Sequence, residues 1–233
     1  MSFFDLNNIA FSALNYPMSW LELVATAFGL VAVWLSAREH IANWGFGLVN
    51  VALSGVIFYK SSLYSDMFLQ FYFFATNALG WWQWSRLAAS ANESLDNGVS
   101  TNEYLVKIDF LPRRQQLWVA LGIVVSTVAL GFFVKNLHSL YPSVFPNEAA
   151  FPFADSLVAT MSIVGNYLLT IKKIESWLLW VVVDIIAPVL YFQKDIKLIA
   201  VEYVIFLALA IFALVNWLKI WRTNKAQRSM VNG

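Results

Sequence analysis

The sequence predicts an all-α integral membrane protein whose seven transmembrane helices form two parallel three-helix repeats joined by one connector helix, a 3+1+3 arrangement. Of 233 residues, 60% are hydrophobic and 12% are charged, which is about half the charged share of a soluble domain. Seven stretches without Lys or Arg approach the roughly 17–25 residues that a membrane helix needs. Because backbone groups in lipid must be bonded internally, such long runs indicate helices rather than barrel strands. The stretches are residues 20–37, 41–59, 66–85, 117–134, 154–171, 177–193 and 198–218.

The first three and the last three stretches resemble each other. Leu-Val-Ala-Thr occurs in the first span and again in the fifth. At a nearly identical offset, Trp44 falls on Trp177 and Trp84 falls on Trp217. The order and spacing match across three helices, which favours a true repeat over chance. Three spans lie between the first span and the fifth, so these two cross the membrane in the same direction. The repeats are therefore parallel, as in transporters that bind substrate near the midplane.

The repeats set the predicted domain boundaries. The segment before Pro17 is interpreted as a retained interfacial segment, because it lacks the basic start and cleavage site of a signal peptide. Residues 86–116 mix acidic and basic residues and predict a cytoplasmic loop, whereas residues 135–153 contain three prolines and predict an extracellular loop. The resulting units are 1–86 (N-terminal segment and first repeat), 87–153 (loop, connector and loop), 154–222 (second repeat) and 223–233 (tail).

The distribution of basic residues predicts the orientation. Eleven Lys and Arg residues fall on the side of the first, third and fifth loops and the tail, against four on the other side. Basic residues favour the cytoplasm, so the N-terminus is expected in the periplasm and the C-terminus in the cytoplasm. A net charge of +1 gives no sign of a nucleic-acid partner, and the lack of cysteine excludes disulfides and thiolate metal sites.

An acidic residue in the sixth span is the first candidate ligand group. Asp184 lies near the middle of that span and shares one helix face with Trp177, Trp180 and Pro188. A carboxylate at the centre of a membrane helix costs about 2.5–3.5 kcal/mol on insertion scales. Asp184 therefore either fixes helix packing or contacts a ligand, and the second interpretation is favoured because intramembrane ionisable residues are usually functional.

Amide side chains supply further candidates. Gln70 and Asn77 lie two turns apart on one stripe of the third span, where they either join helices or hold a ligand. Asn50 in the second span, Asn166 in the fifth and Tyr203 in the seventh add polar groups. Polar residues nearer the span ends are weaker candidates, because water or lipid headgroups can satisfy them; they are Glu22, Glu202 and Asn216.

These groups predict a pocket for a small, flat and polar molecule, and the pocket also suits a cation. Aromatic faces attract planar rings and positive charge, whereas the spans contain no Arg or Lys to pair with phosphate. A retinal protein needs a lysine within the last helix, and Lys197 and Lys219 lie only at its ends. A haem subunit or a metal enzyme needs buried histidines, but His40 and His138 are in loops. No nucleophile motif appears, so we expect no enzyme activity and no cofactor.

A tryptophan cluster closes the third span in "ALGWWQWSR", residues 78–86. Trp82 points away from the Asn77 face and, with Arg86, predicts an anchor in the aromatic belt at the cytoplasmic end. Trp81 and Trp84 lie on the Asn77 stripe, but their depth favours the inner mouth or gate of a pathway over a binding platform. Trp217, which repeats Trp84, is expected opposite them.

In its motifs and helix layout, the chain resembles the PnuC family of vitamin B3 transporters. The resemblance rests on "LYSDMFLQ…GWWQW" (residues 63–84), "ESWLLWVVVD" (175–184) and the 3+1+3 layout. It covers residues 20–221, and its sharpest motif is W-x-x-W-x-x-x-D at Trp177, Trp180 and Asp184. The first repeat departs from it, with Gly47 where the second has Trp180. The resemblance implies a SWEET-like fold, a homotrimer, facilitated diffusion of nicotinamide riboside and its trapping by a cytoplasmic riboside kinase.

The resulting hypothesis is a nicotinamide riboside uniporter of the bacterial inner membrane. The resemblance implies that the pyridinium ring lies against Trp180, while Asn and Gln side chains hold the carboxamide and ribose. Two alternatives remain: a SWEET-like sugar carrier, whose pocket needs no cation preference, and a seven-helix receptor or sensor, which binds its ligand without moving it. The predicted site comprises Asn50, Gln70, Asn77, Trp180 and Asp184, with Asn166 and Tyr203 as weaker members.

Overall fold

A short β-hairpin precedes seven α-helices in the computed structural model, which describes residues 3–13, 16–60, 64–96, 108–143, 148–193 and 197–231. The hairpin strands are β1 (Ile9–Ala13) and β2 (Tyr16–Ser19), paired antiparallel. The helices are α1 (Trp20–Ala37), α2 (Ala42–Lys60), α3 (Tyr64–Asp96), α4 (Arg113–Leu140), α5 (Pro152–Thr170), α6 (Glu175–Gln193) and α7 (Lys197–Val231).

The hairpin leads directly into the capped start of α1. Ser19 Oγ accepts a hydrogen bond from the Glu22 backbone N–H at 3.2 Å, and Glu22 Oε2 accepts one from the Ser19 N–H at 2.8 Å. This capping box has a sequence signature, Ser-x-x-Glu, ahead of an apolar run. The Tyr16 hydroxyl donates to the other Glu22 oxygen at 2.5 Å, and burial together with this carboxylate raises the pKa of the Tyr16 phenol. Glu22 is therefore engaged as a helix cap.

The helices overrun several predicted spans. α3 has 33 residues and continues to Asp96, and α7 has 35 residues and continues to Val231. The prediction of a loop beginning at residue 86 is therefore wrong for residues 87–96, whereas the predicted tail is helical from residue 223 to residue 231. Neither segment contains glycine or proline, so nothing in them interrupts a helix. Hydropathy marks where lipid contact ends, whereas the helix ends where backbone bonding stops.

Five helices of the described chain are long and apolar enough to cross a membrane, namely α1, α2, α4, α6 and residues 200–226 of α7. α3 and α5 fall outside this group. α5 contacts three other helices, α3, α4 and α6, and polar residues on its buried faces lower its hydropathy. Its buried polar residues include Ser156, Thr160, Ser162, Asn166 and Thr170.

The helices pack as two similar halves. In the first half α2 packs against α1 and α3, and in the second α6 packs against α5 and α7. The halves meet along two seams, α1 with α7 and α3 with α5, while the connector α4 packs on α5. Each seam joins the first helix of one repeat to the third helix of the other, as expected for two parallel repeats around a pseudo-two-fold axis.

The α1–α2 and α5–α6 turns have the same structure at equivalent positions of the two repeats. Glu39 and Lys172 both adopt the left-handed conformation, with φ of 57° and 53°. The next residue in each turn, His40 or Lys173, donates its backbone N–H to the carbonyl five residues earlier at 2.9 Å. Both turns are therefore Schellman-type C-caps with a non-glycine residue at the left-handed position. We call the end of the bundle where these turns lie the turn end.

Part of the predicted cytoplasmic loop is packed against this end. Ile108 is buried, and the Asp109 carbonyl accepts the Ile174 N–H at 3.1 Å, which places residues 108–111 beside the α5–α6 turn. Glu175 Oε1 accepts the Leu111 N–H at 2.8 Å, and Trp221 Nε1 donates to Asp109 Oδ1 at 3.0 Å. The prediction of a solvated loop is wrong for this segment, because its backbone and side chains find partners in the second repeat.

Candidate functional site

Trp180, Asp184 and Tyr203 come together where α6 meets α7. Trp180 and Tyr203 pack against the same buried cluster, which contains Val183. Tyr203 stacks on Tyr191 with ring centroids 5.4 Å apart, and Asp184 directly follows Val183 of that cluster in the chain. The spacings along α6 place Trp180, Asp184 and Tyr191 on one face.

Among these residues, Asp184 is a buried acid without a polar partner in the described structure. Its side chain is only 3% exposed, and it forms no hydrogen bond or ion pair with any described part of the chain. Burying a carboxylate without a partner is costly, so such a group is a strong acceptor for a donor or cation brought to it. Asp184 was predicted to be a functional acid or a packing residue, and its contacts in the structure give no evidence of a packing role.

The amides of the first half are engaged by backbone groups. Asn50 Nδ2 donates to the Ala25 carbonyl of α1 at 2.8 Å. Asn77 Nδ2 donates to the Phe73 carbonyl of its own helix at 2.7 Å, while Asn77 Oδ1 lies against Gly47 of α2. Each amide has two donors and an acceptor with two lone pairs, so these single bonds leave further capacity on both side chains.

The remaining predicted amides lie along α3 and its seam with α5. Asn166 is buried and its Nδ2 donates to Thr76 Oγ1 at 2.7 Å. Gln70 lies opposite Gly55 of α2, where a Cβ at Gly55 would be 3.8 Å from the Gln70 Cβ. Thr76 was missed by sequence reasoning, although it directly precedes Asn77.

The α1–α7 seam lies between the amides of the first half and the group around Tyr203. A Cβ at Gly29 of α1 would lie 2.9 Å from Asn50 Nδ2 and 3.7 Å from the Phe206 ring of α7. Phe206 in turn packs edge-to-face on Tyr203, with ring centroids 6.2 Å apart. Gly29 and Phe206 thus connect the first-half amides to the Tyr203 group, a link for which the sequence contained no polar signal.

The two repeats fill their equivalent central positions differently. Gly47 and Trp180 are related by the same offset that takes Trp44 to Trp177. Gly47 leaves room for the Asn77 amide, whereas the Trp180 indole lies over Gly165 of α5, with Nε1 3.4 Å from the place of a Gly165 Cβ. The first half therefore presents an amide, and the second half an indole, in line with the departure noted between the two halves.

Four buried tryptophans form a layer at the turn end. Trp44 packs edge-to-face on Trp84 at 5.3 Å, and Trp177 packs likewise on Trp217 at 5.7 Å, so the repeat holds in three dimensions. All four are at most 4% exposed and belong to one hydrophobic cluster. Trp84 and Trp217, predicted as gate or pathway residues, are buried in this layer.

The other tryptophans of the third span lie outside the layer. Trp81 is 45% exposed and lies over Gly45 of α2, so it is separate from the layer that contains Trp84. Trp82 is 55% exposed, and the Arg86 guanidinium carbon lies 5.0 Å from the centre of its ring. The third-span face that turns inward carries Thr76, Asn77, Gly80 and Trp84 rather than Trp81.

Reciprocal hydrogen bonds tie the layer to the opposite repeat. Trp84 Nε1 of α3 donates to the Thr170 carbonyl at the end of α5 at 3.1 Å. Asn216 Nδ2 of α7 donates to the Ala37 carbonyl at the end of α1 at 2.7 Å. Thr170 and Ala37 are repeat equivalents, so each first helix is capped by the third helix of the other repeat. Asn216, ranked as a weak ligand candidate, serves this cap.

Trp84→Phe is expected to destabilise the protein more than Trp217→Phe. Both changes remove the same indole atoms from the same layer, but Trp217 Nε1 has no hydrogen-bond partner among the described residues. Only Trp84→Phe breaks a bond, whose net contribution is about 0.5–1.5 kcal/mol. Thermal unfolding of the purified variants in detergent measures the difference. Equal midpoints would mean that the Trp84–Thr170 bond does not stabilise the fold.

An open groove of about 540 Å³ lies between α3, α4 and α5. None of the predicted substrate residues lines it. Its walls are mainly apolar and include Tyr72, Trp118 and Tyr167. Tyr72 also donates its hydroxyl to the Ile163 carbonyl at 2.8 Å, which adds a bond to the α3–α5 seam. Over the parts of the chain that the structure describes, no group of three His, Cys, Asp or Glu side chains could hold a metal ion.

Comparison with known proteins identifies the family to which this chain belongs. The family model described as "Nicotinamide mononucleotide transporter" matches residues 19–219. The nicotinamide riboside transporter PnuC of Escherichia coli (strain K12) is 34% identical, with 98% of this chain and 97% of that protein aligned. The riboflavin/roseoflavin transporter RibM of Streptomyces davaonensis is 24% identical over 98% of this chain and 97% of its own.

A solved structure confirms the fold class. The crystal structure of the vitamin B3 transporter PnuC superposes with a TM-score of 0.64 at 27% identity, covering 88% of this chain and 83% of that one. The relatives are named as transporters, which agrees with the expectation of a protein that is not an enzyme. The PnuC resemblance predicted from the sequence is confirmed: this chain is a multi-pass membrane protein that belongs to the nicotinamide mononucleotide transporter family, which includes the PnuC transporters.

Proposed function

We propose that this chain carries nicotinamide riboside across the bacterial inner membrane by facilitated diffusion, as a uniporter with a midplane site between its two three-helix repeats. The full-length similarity to a PnuC protein named for this substrate supports the proposal. The two seams around the pseudo-two-fold axis support an alternating-access mechanism, because rocking of one half against the other exposes a central site to each side in turn.

The observation that carries the proposal is the buried, uncompensated Asp184 beside aromatic rings. Nicotinamide riboside has a flat pyridinium ring with a positive charge, so a carboxylate and the face of an indole recognise it together. Trp180 lies one helical turn before Asp184 on α6, and Tyr203 packs against the same buried cluster as Trp180, so both supply aromatic surface at this site. A neutral sugar would gain little from the acid, which favours the cation over the sugar-carrier alternative.

The amides complete the proposed site. Asn50, Gln70, Asn77 and Asn166 have the donors and acceptors that suit a carboxamide and ribose hydroxyls. Asn50, Asn77 and Asn166 each make a hydrogen bond within the protein in this structure. Substrate binding on this proposal adds to, or exchanges with, those bonds as the two halves move.

Phosphate is expected to prevent transport. The predicted spans contain no Arg or Lys, so a phosphate in the midplane site would lose its hydration without gaining a cationic partner. In keeping with the family resemblance, we propose that a cytoplasmic riboside kinase traps the substrate after entry, because the phosphorylated product cannot leave by the same path. We also propose a homotrimer with its N-termini in the periplasm and C-termini in the cytoplasm, in keeping with the resemblance and the basic-residue distribution.

Calorimetry on the purified protein tests the substrate. Nicotinamide riboside is expected to bind, whereas nicotinamide mononucleotide is expected to bind at least tenfold more weakly because its phosphate finds no partner. Riboflavin, named as a substrate of one relative, serves as a second comparison. Tighter binding of the mononucleotide or of riboflavin would contradict the proposed substrate.

Flux into reconstituted vesicles separates a carrier from a receptor. We expect saturable riboside flux without any ion gradient. Flux that requires an ion gradient would contradict the uniport mechanism, and binding without flux would contradict transport itself.

A further inference from the structure

The turns that close α1 and α5 meet through a single ion pair among the described residues. Lys172 Nζ lies 3.0 Å from Glu39 Oε2. The offset between the two residues is the one that takes Trp44 to Trp177, so each is the repeat equivalent of the other. A residue that contacts its own equivalent must lie close to the axis that relates the repeats. The Glu39–Lys172 pair therefore marks the pseudo-two-fold axis at the turn end.

Lys172 also reaches a third element. Its ammonium nitrogen lies 4.5 Å from the centre of the Trp84 ring of α3. The same indole donates a hydrogen bond to the carbonyl of Thr170, which shortly precedes Lys172 in the chain. One lysine thus contacts the α1–α2 turn and the third helix of the first repeat from its place in the second repeat. Lys172 thus makes an ion pair and a cation–π contact at once, the second with one ring of the tryptophan layer.

The pair is held by rigid turns and is partly shielded. Both residues occupy the left-handed position of a Schellman-type cap, a conformation that is strained for side chains other than glycine. The side chains are 17% and 24% exposed, so salt screens the pair less than it would a fully exposed one. Because the turns end stiff helices, their separation depends on movement of the two halves as bodies rather than on local flexing.

We propose that Glu39 and Lys172 form a latch that keeps the turn end closed, and that this ion pair breaks when the turn end opens. The inference rests on the proposed carrier mechanism, in which the two halves move apart at one end at a time. A contact on the axis between equivalent turns is lost whenever that end opens, so it stabilises the closed state selectively. With the orientation proposed above, the latch lies at the cytoplasmic side.

Thiol labelling measures the opening directly, because the native chain contains no cysteine. Ser36 is 3% exposed in the last turn of α1, and Ser36→Cys changes only one atom. In nanodiscs, Glu39→Gln and Lys172→Gln are each expected to raise the labelling rate of Cys at this position by about two- to fivefold, the range expected for a partly exposed ion pair. The charge-swapped double variant Glu39→Lys with Lys172→Glu should return the rate toward the starting value.

Lys173→Gln provides the matched control. It removes the same charge from the same turn, but Lys173 forms no ion pair with the described residues. Its labelling rate is expected to stay unchanged. Labelling that is equally slow in all variants, or equally fast in the single and swapped variants, would overturn the latch.

A second measurement covers variants that fold poorly. A Glu39→Cys, Lys172→Cys pair joined by a short bis-methanethiosulfonate, which forms a disulfide with each cysteine and releases methanesulfinate, should stop flux. Reduction of the disulfides should restore flux, while each single-cysteine variant keeps its flux after the same treatment. Continued flux in the cross-linked protein would contradict the latch. Labelling needs no substrate, so the two proposals can fail separately. If the variants label as expected but the riboside does not bind, only the proposed substrate is refuted. If riboside flux is normal but the Glu39 and Lys172 variants label at the native rate, only the latch is refuted.

Discussion

Asp184→Asn is expected to weaken nicotinamide riboside binding by about ten- to a hundredfold, since a hydrogen bond or contact to a charged group contributes about 1.5–3 kcal/mol. The substitution keeps the size and shape of the side chain but removes the negative charge. Asp184 is 3% exposed and forms no hydrogen bond or ion pair with the described residues, so no partner in the folded protein is lost with the charge. Calorimetric titration of the purified variant measures the affinity.

Nicotinamide, which lacks the ribosyl group and the positive charge, is the control ligand. Its affinity is expected to change by less than the riboside affinity, because the proposed role of Asp184 is toward the cation. A thermal midpoint at or above that of the native protein would show that the variant is folded. An unchanged riboside affinity, or an equal loss for both ligands, would place the cation elsewhere in the protein.

Gly80→Ala is expected to lower the stability of the protein by about 1–3 kcal/mol, the usual cost of overpacking a well-filled core. A Cβ at Gly80 would lie 2.5 Å from two carbons of the Trp44 ring. Trp44 is 1% exposed and is fixed edge-to-face against Trp84, so it has no free space into which to move. The strain falls on the tryptophan layer, and thermal unfolding in detergent measures it.

Gly122→Ala is the matched control for this change. A Cβ at Gly122 of α4 would meet nothing within 4 Å, and alanine is a better helix former than glycine by about 1 kcal/mol. The Gly122 variant should therefore be as stable as the native protein or more so. A similar fall in both midpoints would trace the effect to helix propensity or to the detergent and not to contact with Trp44.

Chemical composition and apolar length were enough to predict the membrane class and the approximate positions of the helices. They were not enough for the helix ends, since α3 and α7 continue into polar sequence that water solvates as readily as a loop. The packing of residues 108–111, which precede α4, was also not predicted. It depends on the α5–α6 turn and on Trp221, which lie far away in the sequence.

The candidate site was predictable in its residue types more than in its contacts. Helical spacing placed Trp180 and Asp184 on one face, as the structure has them. Periodicity alone also placed Trp81 on the inner stripe of α3, whereas its side chain is 45% exposed. A stripe at three- and four-residue spacing is wide enough to include a residue at its edge, and only the packing of α2 against α3 decides on which side that residue falls.

What the sequence by itself determined is the repeat and the chemistry available in the membrane, because apolar length, polar exceptions and the constant offset between the halves are properties of residue order. The tertiary structure alone decided that equivalent residues of the two halves meet. Glu39 and Lys172 look like two ordinary loop charges until the pseudo-two-fold axis brings them within 3.0 Å of each other. Their pairing depends on how the two halves dock, and that is set by many contacts along both seams together.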